Sequence, residues 1–453
     1  MGTPIHGAAA CTVVARELET DRAAADLLRL PGAARGPRWA WSSADGRLQL
    51  AGLGAAAWLR EAGPARFERA GARVAALGAG SDGAVEQLRW LGGFGFWDGD
   101  GESVWAGFPG LLFVLPELLL RVEAGRAWLV AAGALGDRAR LEGRLNQVAR
   151  QLAATADGGS SPGSARDREP EAPVEARREA TGLAEPVARV VAAIREGRAD
   201  KVVLASSRQV WLDRAADPLA VLQRFRDGQP DCSCFLVGPT PAAAFVGATP
   251  ECLLRVTGRR VETMALAGSA PRGADPAEDA RLGARLLSSA KDRREHALVV
   301  EAIVAELRGA GAVKVVPGEG PRLRRLATIQ HLETRLAAEL ATPMDPLSLA
   351  ARLHPTPALG GSPRDAALAL IRELEEPRPG RGWYAGGVGW LDGRGDGELS
   401  VAIRSVLLRG RLALATAGAG LVASSDPEAE AREIALKLRV ALAALGAGDP
   451  SAG

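Results

Sequence analysis

The order of apolar and polar positions along the chain predicts two parts of different construction. Within residues 37–122, short apolar runs such as Leu48–Leu53 are separated by glycine and proline, which is typical of strands joined by turns. Residues 135–153 instead repeat apolar side chains at helical spacing, and a stretch rich in Gly, Ser, Pro and charge follows. We therefore predict a mostly sheet N-terminal part at residues 1–154 and a linker or flexible loop at residues 155–175.

Residues 176–453 mix both kinds of pattern without a strict alternation of strand and helix. A doubly wound fold requires such an alternation, so the pattern favours an α+β fold built on antiparallel sheets. The last helix is well marked, because Asp426 suits an N-cap and Pro427 suits the first helical position. The predicted elements are helices at residues 183–197, 276–307 and 427–445, strands at 201–210, 386–391, 398–408 and 411–417, and a hairpin at 244–263.

Composition narrows the classes of function. A chain of 453 residues is long enough for two lobes or one unusually large fold. A net charge of +2 and an aromatic content of 4% give no reason to expect nucleic acid or a membrane surface as a partner. The four cysteines form no Cys-x-x-Cys pair, and no leader-like or membrane-spanning apolar run occurs in the sequence. We therefore expect a soluble protein of the cytoplasm.

Two segments place a titratable side chain beside an apolar strand. Lys201 begins a run that then becomes apolar, and Glu251 follows a proline that interrupts the predicted hairpin. Taken alone, each has an ordinary explanation. A lysine protects the end of an edge strand, and a glutamate after proline commonly lies in a solvated turn.

Two predicted helices carry a further group of charged residues. Asp292 and Glu295 have the spacing of a capping box, which by itself would account for both. On the last helix, Glu430, Glu433 and Lys437 are spaced by three and four residues, so the three side chains share one face. An exposed stripe of ion pairs would account for that face equally well.

The residues between these segments change the interpretation. Glycine clusters near Gly268, Gly360, Gly386 and Gly418 suit close approach of the backbone to a ligand, and three of the four histidines fall in the same region. Carboxylates on two helices, together with bare backbone amides, are what a hard cation and an anionic small molecule need. The residues alone therefore indicate a metal-assisted enzyme that acts on a small anion.

Nine segments within residues 180–445 resemble the chorismate-utilising enzyme family, and they occur in the family's order. Any one of them alone would be weak, but nine in order exceed what chance similarity produces. The segments are Lys201-Val-Val-Leu-Ala, Gly247-Ala-Thr-Pro-Glu251, Ala265-Leu-Ala-Gly-Ser-Ala-Pro-Arg-Gly273, Lys291-Asp292 through His296, Gln330-His-Leu-Glu-Thr334, His354-Pro-Thr-Pro-Ala-Leu-Gly-Gly-Ser-Pro363, Tyr384-Ala-Gly-Gly-Val-Gly-Trp390, Val401-Ala-Ile-Arg404 and Gly418-Ala-Gly-Leu-Val through Lys437.

The resemblance implies antiparallel sheets in a layered core flanked by helices, and a magnesium-dependent reaction of the dianion chorismate. It implies that Lys201 is the base that activates water and Glu251 the acid that protonates the departing hydroxyl, which requires a neutral lysine and a protonated glutamate. It further implies that Glu295 and Glu433 bind Mg²⁺, and that Glu430 either contacts the direct ligands of the cation or binds it through water. The substrate contacts that it implies are Gly268, Ser269, His331, Thr334, Ala358, Tyr384, Arg404, Gly418, Ala419, Gly420 and Lys437.

Differences among family members favour one branch. Lys201 and the segment beginning at His354 resemble the water-using members, isochorismate and salicylate synthases, rather than the aminating members. A looser similarity of residues 92–116 to the isochorismate synthases of menaquinone biosynthesis favours that pathway over siderophore supply. The chain departs from the family at Ser206, where many relatives have arginine, and at Gly387, where proline is common and glycine loosens the loop.

Three alternatives stay open at this point. A salicylate synthase would go on to eliminate pyruvate from isochorismate on the same scaffold, and an isochorismate synthase could instead supply a siderophore pathway. A regulatory binding protein would keep the fold without the chemistry. We expect a monomer or weak dimer that takes chorismate as its small-molecule partner.

Overall fold

The protein is described by a computed structural model over residues 10–18, 22–99, 103–157, 184–375 and 380–446. These residues form 22 strands and nine α-helices, with four short 3₁₀ segments between them. The strands are β1 (Thr12–Leu18), β2 (Arg38–Ser42), β3 (Leu48–Leu53), β4 (Ala57–Glu61), β5 (Asp82–Gly83), β6 (Trp90–Phe94), β7 (Leu111–Leu115), β8 (Leu118–Glu123), β9 (Arg126–Gly133), β10 (Lys201–Trp211), β11 (Ser233–Thr240), β12 (Ala243–Thr249), β13 (Cys252–Thr257), β14 (Arg260–Pro271), β15 (Ala312–Pro317), β16 (Arg322–Arg325), β17 (Ile329–Leu340), β18 (Gly361–Ser362), β19 (Gly387–Leu391), β20 (Gly397–Val401), β21 (Ser405–Arg409) and β22 (Leu412–Val422).

Four of the helices begin at an aspartate that caps the first turn. Asp217, Asp275, Asp345 and Asp426 each accept a hydrogen bond from a backbone N–H of the first turn, and each is followed by a proline that needs no such bond. The helices are α1 (Arg66–Gly80), α2 (Arg138–Asp157), α3 (Ala184–Arg195), α4 (Pro218–Gly228), α5 (Pro276–Ser288), α6 (Ala290–Gly309), α7 (Pro346–Leu353), α8 (Arg364–Leu374) and α9 (Pro427–Ala444).

Two large sheets organise these elements. The twelve-stranded sheet runs in the order β18-β10-β22-β21-β12-β11-β2-β3-β8-β9-β1-β5. The ten-stranded sheet runs β15-β17-β14-β13-β20-β19-β6-β7-β4, with β16 also paired to β17. The strand pairs are antiparallel except β1 with β5, and one apolar cluster contains residues of both sheets. The predicted α+β class with antiparallel sheets is therefore confirmed.

Both sheets combine strands from before residue 154 with strands from after residue 184. The predicted N-terminal part thus shares its sheets with the C-terminal region. Most of the predicted linker lies outside the described residues, and its first residues, 155–157, end α2. No helix in the described parts of the chain is long and apolar enough to cross a membrane.

The structure corrects two predicted helical regions. The stretch 37–122 was predicted as strands and turns, but it contains α1, whose buried residues include Phe67, Ala70, Val74 and Leu77 at helical spacing. The alanines and glycines between these residues leave few polar side chains on the opposite face, so the helical period of about 3.6 residues is hard to see in the sequence. The predicted helix at 276–307 is instead two helices, because Ser289 ends α5 and caps α6 through the backbone N–H of Asp292.

Two predicted strand units are also wrong, and both errors bear on the site. The hairpin at 244–263 was expected to be one unit, but β12 belongs to the larger sheet and only β13 and β14 form the hairpin. The strand at 398–408 is likewise divided into β20 and β21, which lie in different sheets. The break occurs at Arg404, whose φ of +50° lies in the left-handed region and cannot continue a strand.

These two breaks position the site, because the chain passes between the sheets at neighbouring points. Glu251 lies between β12 and β13, and Arg404 lies between β20 and β21. The backbone N–H of Val401 donates to the Glu251 carbonyl at 2.9 Å, and that of Ala248 donates to the Arg404 carbonyl at 3.2 Å. A carboxylate and a guanidinium are therefore brought together from residues 153 positions apart in the chain.

Candidate active site

A cleft of about 940 Å³, its open mouth included, contains all but two of the predicted site residues. It is lined by elements of both sheets and by residues of α6 and α9. The predicted residues in its lining are Lys201, Glu251, Gly268, Ser269, Glu295, His331, Ala358, Tyr384, Arg404, Gly418, Gly420, Glu430, Glu433 and Lys437.

Two residues predicted to contact the substrate do not line this cleft. Thr334 is buried, and its hydroxyl lies 2.8 Å from Nε2 of His296 rather than at the cleft surface. Ala419 is buried between its two glycine neighbours, which do line the cleft. Their roles as contacts stay predictions that this geometry does not favour.

Glu251 is buried rather than solvated, with 5% of its surface exposed. Burial raises its pKa to about 7, although the positive charges of Lys201, Lys437 and Arg404 act in the opposite direction. A carboxyl with this pKa keeps its proton in a substantial fraction of molecules near neutral pH. The explanation as a turn glutamate is therefore wrong, and the residue has the property that an acid catalyst needs.

Lys201 is also buried, with 1% of its side chain exposed, so it is not an edge lysine. Its Nζ lies 2.9 Å from Oε1 of Glu295 on α6. Gly420 on β22 makes room for this pair, because a Cβ atom there would lie 2.7 Å from Glu295 Oε1 and 2.9 Å from Lys201 Cε. Gly420 thus leaves room for the side chains of Lys201 and Glu295 to approach each other, whereas the sequence suggested that the backbone there approaches a ligand.

Arg404 fixes the protonation pattern of a short chain of polar groups. Its Nη2 lies 2.8 Å from Nε2 of His331, and since a guanidinium can only donate, Nε2 must accept. Burial, and next the charge of Arg404, hold the pKa of His331 well below its usual range, so the ring is neutral and carries its proton on Nδ1. Nδ1 lies 3.0 Å from Oγ of Ser269. Ser269 therefore accepts from the ring and keeps its own O–H for a ligand.

Tyr384 adds a second hydroxyl to the lining of the cleft. It is the single tyrosine of the chain, and it is 6% exposed. Burial raises its pKa, which keeps the phenol protonated and able to donate.

Carboxylates from α6 and α9 also line the cleft, and Glu295, Glu430 and Glu433 are each paired with a lysine. Besides the pair of Lys201, Lys291 Nζ lies 3.0 Å from Glu430 Oε1 and Lys437 Nζ lies 2.7 Å from Glu433 Oε1. Asp292 also lines the cleft, and Ser289 rather than Asp292 caps the helix, so a capping box does not explain Asp292 and Glu295.

Within the described residues, no group of three or more His, Cys, Asp or Glu side chains forms a ready-made metal cluster. The donor set nevertheless fits Mg²⁺, which is commonly held by one or two carboxylates together with substrate and water. Burial, followed by the charge of neighbouring carboxylates, raises the pKa of Asp292 and of Glu430. Such mutual repulsion is what a hard cation between the helices would offset.

Several lining residues were not predicted, and one of them had a signal in the sequence. The chain has four lysines against 52 arginines, and three of the four lysines line this cleft. That scarcity would have selected Lys291. The other unpredicted lining residues are Val203, Leu266, Ala267, Asp292, Leu359, Ala385, Ile403, Thr416 and Ala417.

The cleft thus combines a buried carboxyl of raised pKa, that of Glu251, with carboxylates carried by two helices. Residues 12–446 match the family described as "Chorismate binding enzyme". The chain therefore belongs to the chorismate binding enzyme family.

Individual relatives agree with this assignment. The chain is 46% identical over 266 residues to the salicylate biosynthesis isochorismate synthase of Pseudomonas aeruginosa, covering 58% of this chain and 55% of that protein. It is 38% identical over 253 residues to the isochorismate synthase MenF of Bacillus subtilis, covering 56% and 53%. The match thus spans little more than half the length of these two relatives.

A solved structure extends the likeness to nearly the whole fold. The menaquinone-specific isochorismate synthase MenF from Escherichia coli superposes with a TM-score of 0.76 at 26% identity, covering 95% of this chain and 94% of that one.

Proposed function

We propose that this protein is an isochorismate synthase, which converts chorismate to isochorismate. The observation that carries the proposal is the presence, in one cleft, of the buried Lys201 and of the buried Glu251, whose pKa is raised to about 7. Membership of the chorismate binding family and the names of the relatives support it.

The reaction needs a base and an acid at different carbons of one ring. Water adds at C2 while the hydroxyl at C4 leaves, so one proton must be removed from the incoming water and one supplied to the departing oxygen. Lys201, in its neutral form, takes the first proton on Nζ, and Glu251 gives the second from its carboxyl group. The double bonds of the ring shift as the C2–O bond forms and the C4–O bond breaks.

The side chains opposite the carboxylate cluster would hold the rest of the substrate. Arg404, together with Tyr384 and the backbone of Gly418 and Gly420, offers donors to a carboxylate. Ser269 offers its O–H, directed by His331 as described above. These neutral and cationic donors suit a dianion and leave Glu251 as the acid among them.

We further propose that the reaction depends on Mg²⁺, which Glu295 and Glu433 would hold. Glu430 would either contact the direct ligands of the cation or bind it through water. The cation would neutralise the ring carboxylate of the substrate and leave several positions to water. The pathway that we propose is menaquinone biosynthesis, supported by the likeness to MenF. A cytoplasmic monomer or weak dimer is proposed with it.

The test is product analysis after incubation of the purified protein with chorismate and Mg²⁺. We expect isochorismate, no anthranilate or aminodeoxychorismate when ammonium is added, and no turnover in excess EDTA until Mg²⁺ is restored. Salicylate and pyruvate as the main enzymatic products would assign a salicylate synthase instead. Full turnover in excess chelator would remove the cation from the proposal and leave the acid and base assignments in place.

A further inference from the structure

Lys291 lies in the cleft without a part in the proposed reaction. It stands in the first turn of α6, and its ammonium group reaches Glu430 on α9 at 3.0 Å. Burial opposes its charge, but the carboxylates of Glu430, Glu295 and Asp292 outweigh burial and raise its pKa, so the group is cationic. The first turns of the two helices that carry the carboxylates are thus joined by one ion pair.

The choice of lysine at this position is unusual for this chain. Of its 56 basic residues, 52 are arginine, and ion pairs elsewhere, such as Arg272 with Asp279 and Arg381 with Glu375, use arginine. Lys314, the single lysine outside the cleft, is exposed on β15. An arginine would hold a carboxylate with two parallel hydrogen bonds, whereas an ammonium is a point charge that makes a looser contact.

The exposures of the paired groups differ in a way that suggests exchange. The side chain of Lys291 is 39% exposed at the cleft mouth, while that of Glu430 is 7% exposed. Lys201, at 1% exposed, has no comparable route into solvent. Glu430 therefore depends on protein partners, which are Lys291 and the hydroxyl of Ser425 at 2.7 Å, whereas Lys291 can move out into water.

We infer that Lys291 is an exchangeable counter-ion: it neutralises Glu430 until a divalent cation occupies the carboxylate cluster, and it then withdraws to solvent. The inference rests on the proposed cation site. It explains why an ammonium is used, since a bidentate guanidinium would hold Glu430 too strongly to be released when the cation binds. It also means that cation affinity is set partly by the pair that the cation must break.

Two substitutions at one position test this inference in opposite directions. Lys291→Met removes the competing charge and keeps the aliphatic stem, so we expect the affinity for Mg²⁺ alone to rise by about two- to fivefold, the order of one partly exposed ion pair. Lys291→Arg keeps the charge and adds a second hydrogen bond, so we expect the affinity to fall by at least about threefold. Lys314→Met is the matched control, with the same loss of charge on an exposed strand and no expected change.

The measurement is titration of chelator-treated protein with Mg²⁺ alone. Calorimetry gives the affinity, and the rise in melting temperature is a second readout of binding. Without Mg²⁺, Lys291→Met should melt below the wild type, because Glu430 loses its ionic partner and keeps only the hydrogen bond from Ser425. Mg²⁺ should then raise the melting temperature of the variant by more than that of the wild type.

The outcomes separate this inference from the proposed function. Wild-type affinity in Lys291→Arg with weaker binding in Lys291→Met would show a fixed clasp between the helices and overturn the exchange. Equal affinities in all variants would also overturn it, while leaving the cation site intact. Failure of every variant and of the wild type to bind Mg²⁺ would remove the cation site itself.

Discussion

Replacing Glu251 by glutamine should make the protein more stable at neutral and alkaline pH while making it a poorer catalyst. In the folded protein, burial holds the pKa of Glu251 at about 7, against 4.5 for an ordinary glutamate. Between these two values the folded state keeps a proton that the unfolded chain has lost, so stability falls as pH rises through the window. Above about pH 7 the folded protein bears the full cost of a buried charge.

The magnitude follows from the difference between the two pKa values. At about 1.4 kcal/mol per pKa unit, moving from 4.5 to about 7 corresponds to about 3 kcal/mol. Glutamine is similar in size and has no proton to lose. The unfolding free energy of Glu251→Gln minus that of the wild type should therefore rise by about 3 kcal/mol from about pH 4.5 to about pH 7, and then stay level.

Urea unfolding of both proteins across this range measures that difference, and other titrating groups cancel in the subtraction. Glu319→Gln, at an exposed position, is the control and should show no such rise. Turnover of Glu251→Gln should fall by at least about 10² because the acid is lost. A difference in unfolding free energy that stays flat with pH would refute the raised pKa, and near-normal turnover would refute the acid role.

Three further substitutions test other parts of the site. Lys201→Ala should lower kcat by about 10² to 10⁴. It should also lower the melting temperature, which replacement of an edge lysine would not do, because Glu295 loses its ionic partner. Unchanged turnover would exclude Lys201 as the base. Gly420→Ala should reduce kcat strongly with a small change in far-UV circular dichroism, because its Cβ would displace that pair, and normal kcat would show that the pair can shift. Ser269→Ala should raise KM by about fivefold or more by removing one hydrogen bond to the substrate, whereas an unchanged KM and kcat would show that its O–H does not reach it.

Local structure was largely determined by short stretches of sequence. The helix predicted at residues 427–445 is observed at Pro427–Ala444, and the strand predicted at 201–210 is observed at Lys201–Trp211. Aspartate before proline is sufficient to start a helix, because the cap and the fixed proline φ act within a few residues. The order of the nine family segments is likewise visible in the sequence without the structure.

Sheet membership was not determined locally. Residues 398–408 were predicted as one strand, yet they form strands in two sheets because the backbone at Arg404 turns into the left-handed region. A strand pattern reports that one face is buried, but not which sheet buries it. The helix α1 was missed for a related reason, since its alanines and glycines suit either environment.

The chemistry of the site depended on tertiary structure in the same way. The sequence shows Lys201 and Glu251 as charged residues near turns, and only packing removes both from water and raises the pKa of the glutamate. Likewise, Glu430 and Glu433 lie beside Lys437 in the sequence, but Glu430 pairs with Lys291, 139 residues away. Desolvation and the choice of ionic partner depend on how strands and helices pack against one another. The sequence of one strand or helix therefore shows only which residues could be involved.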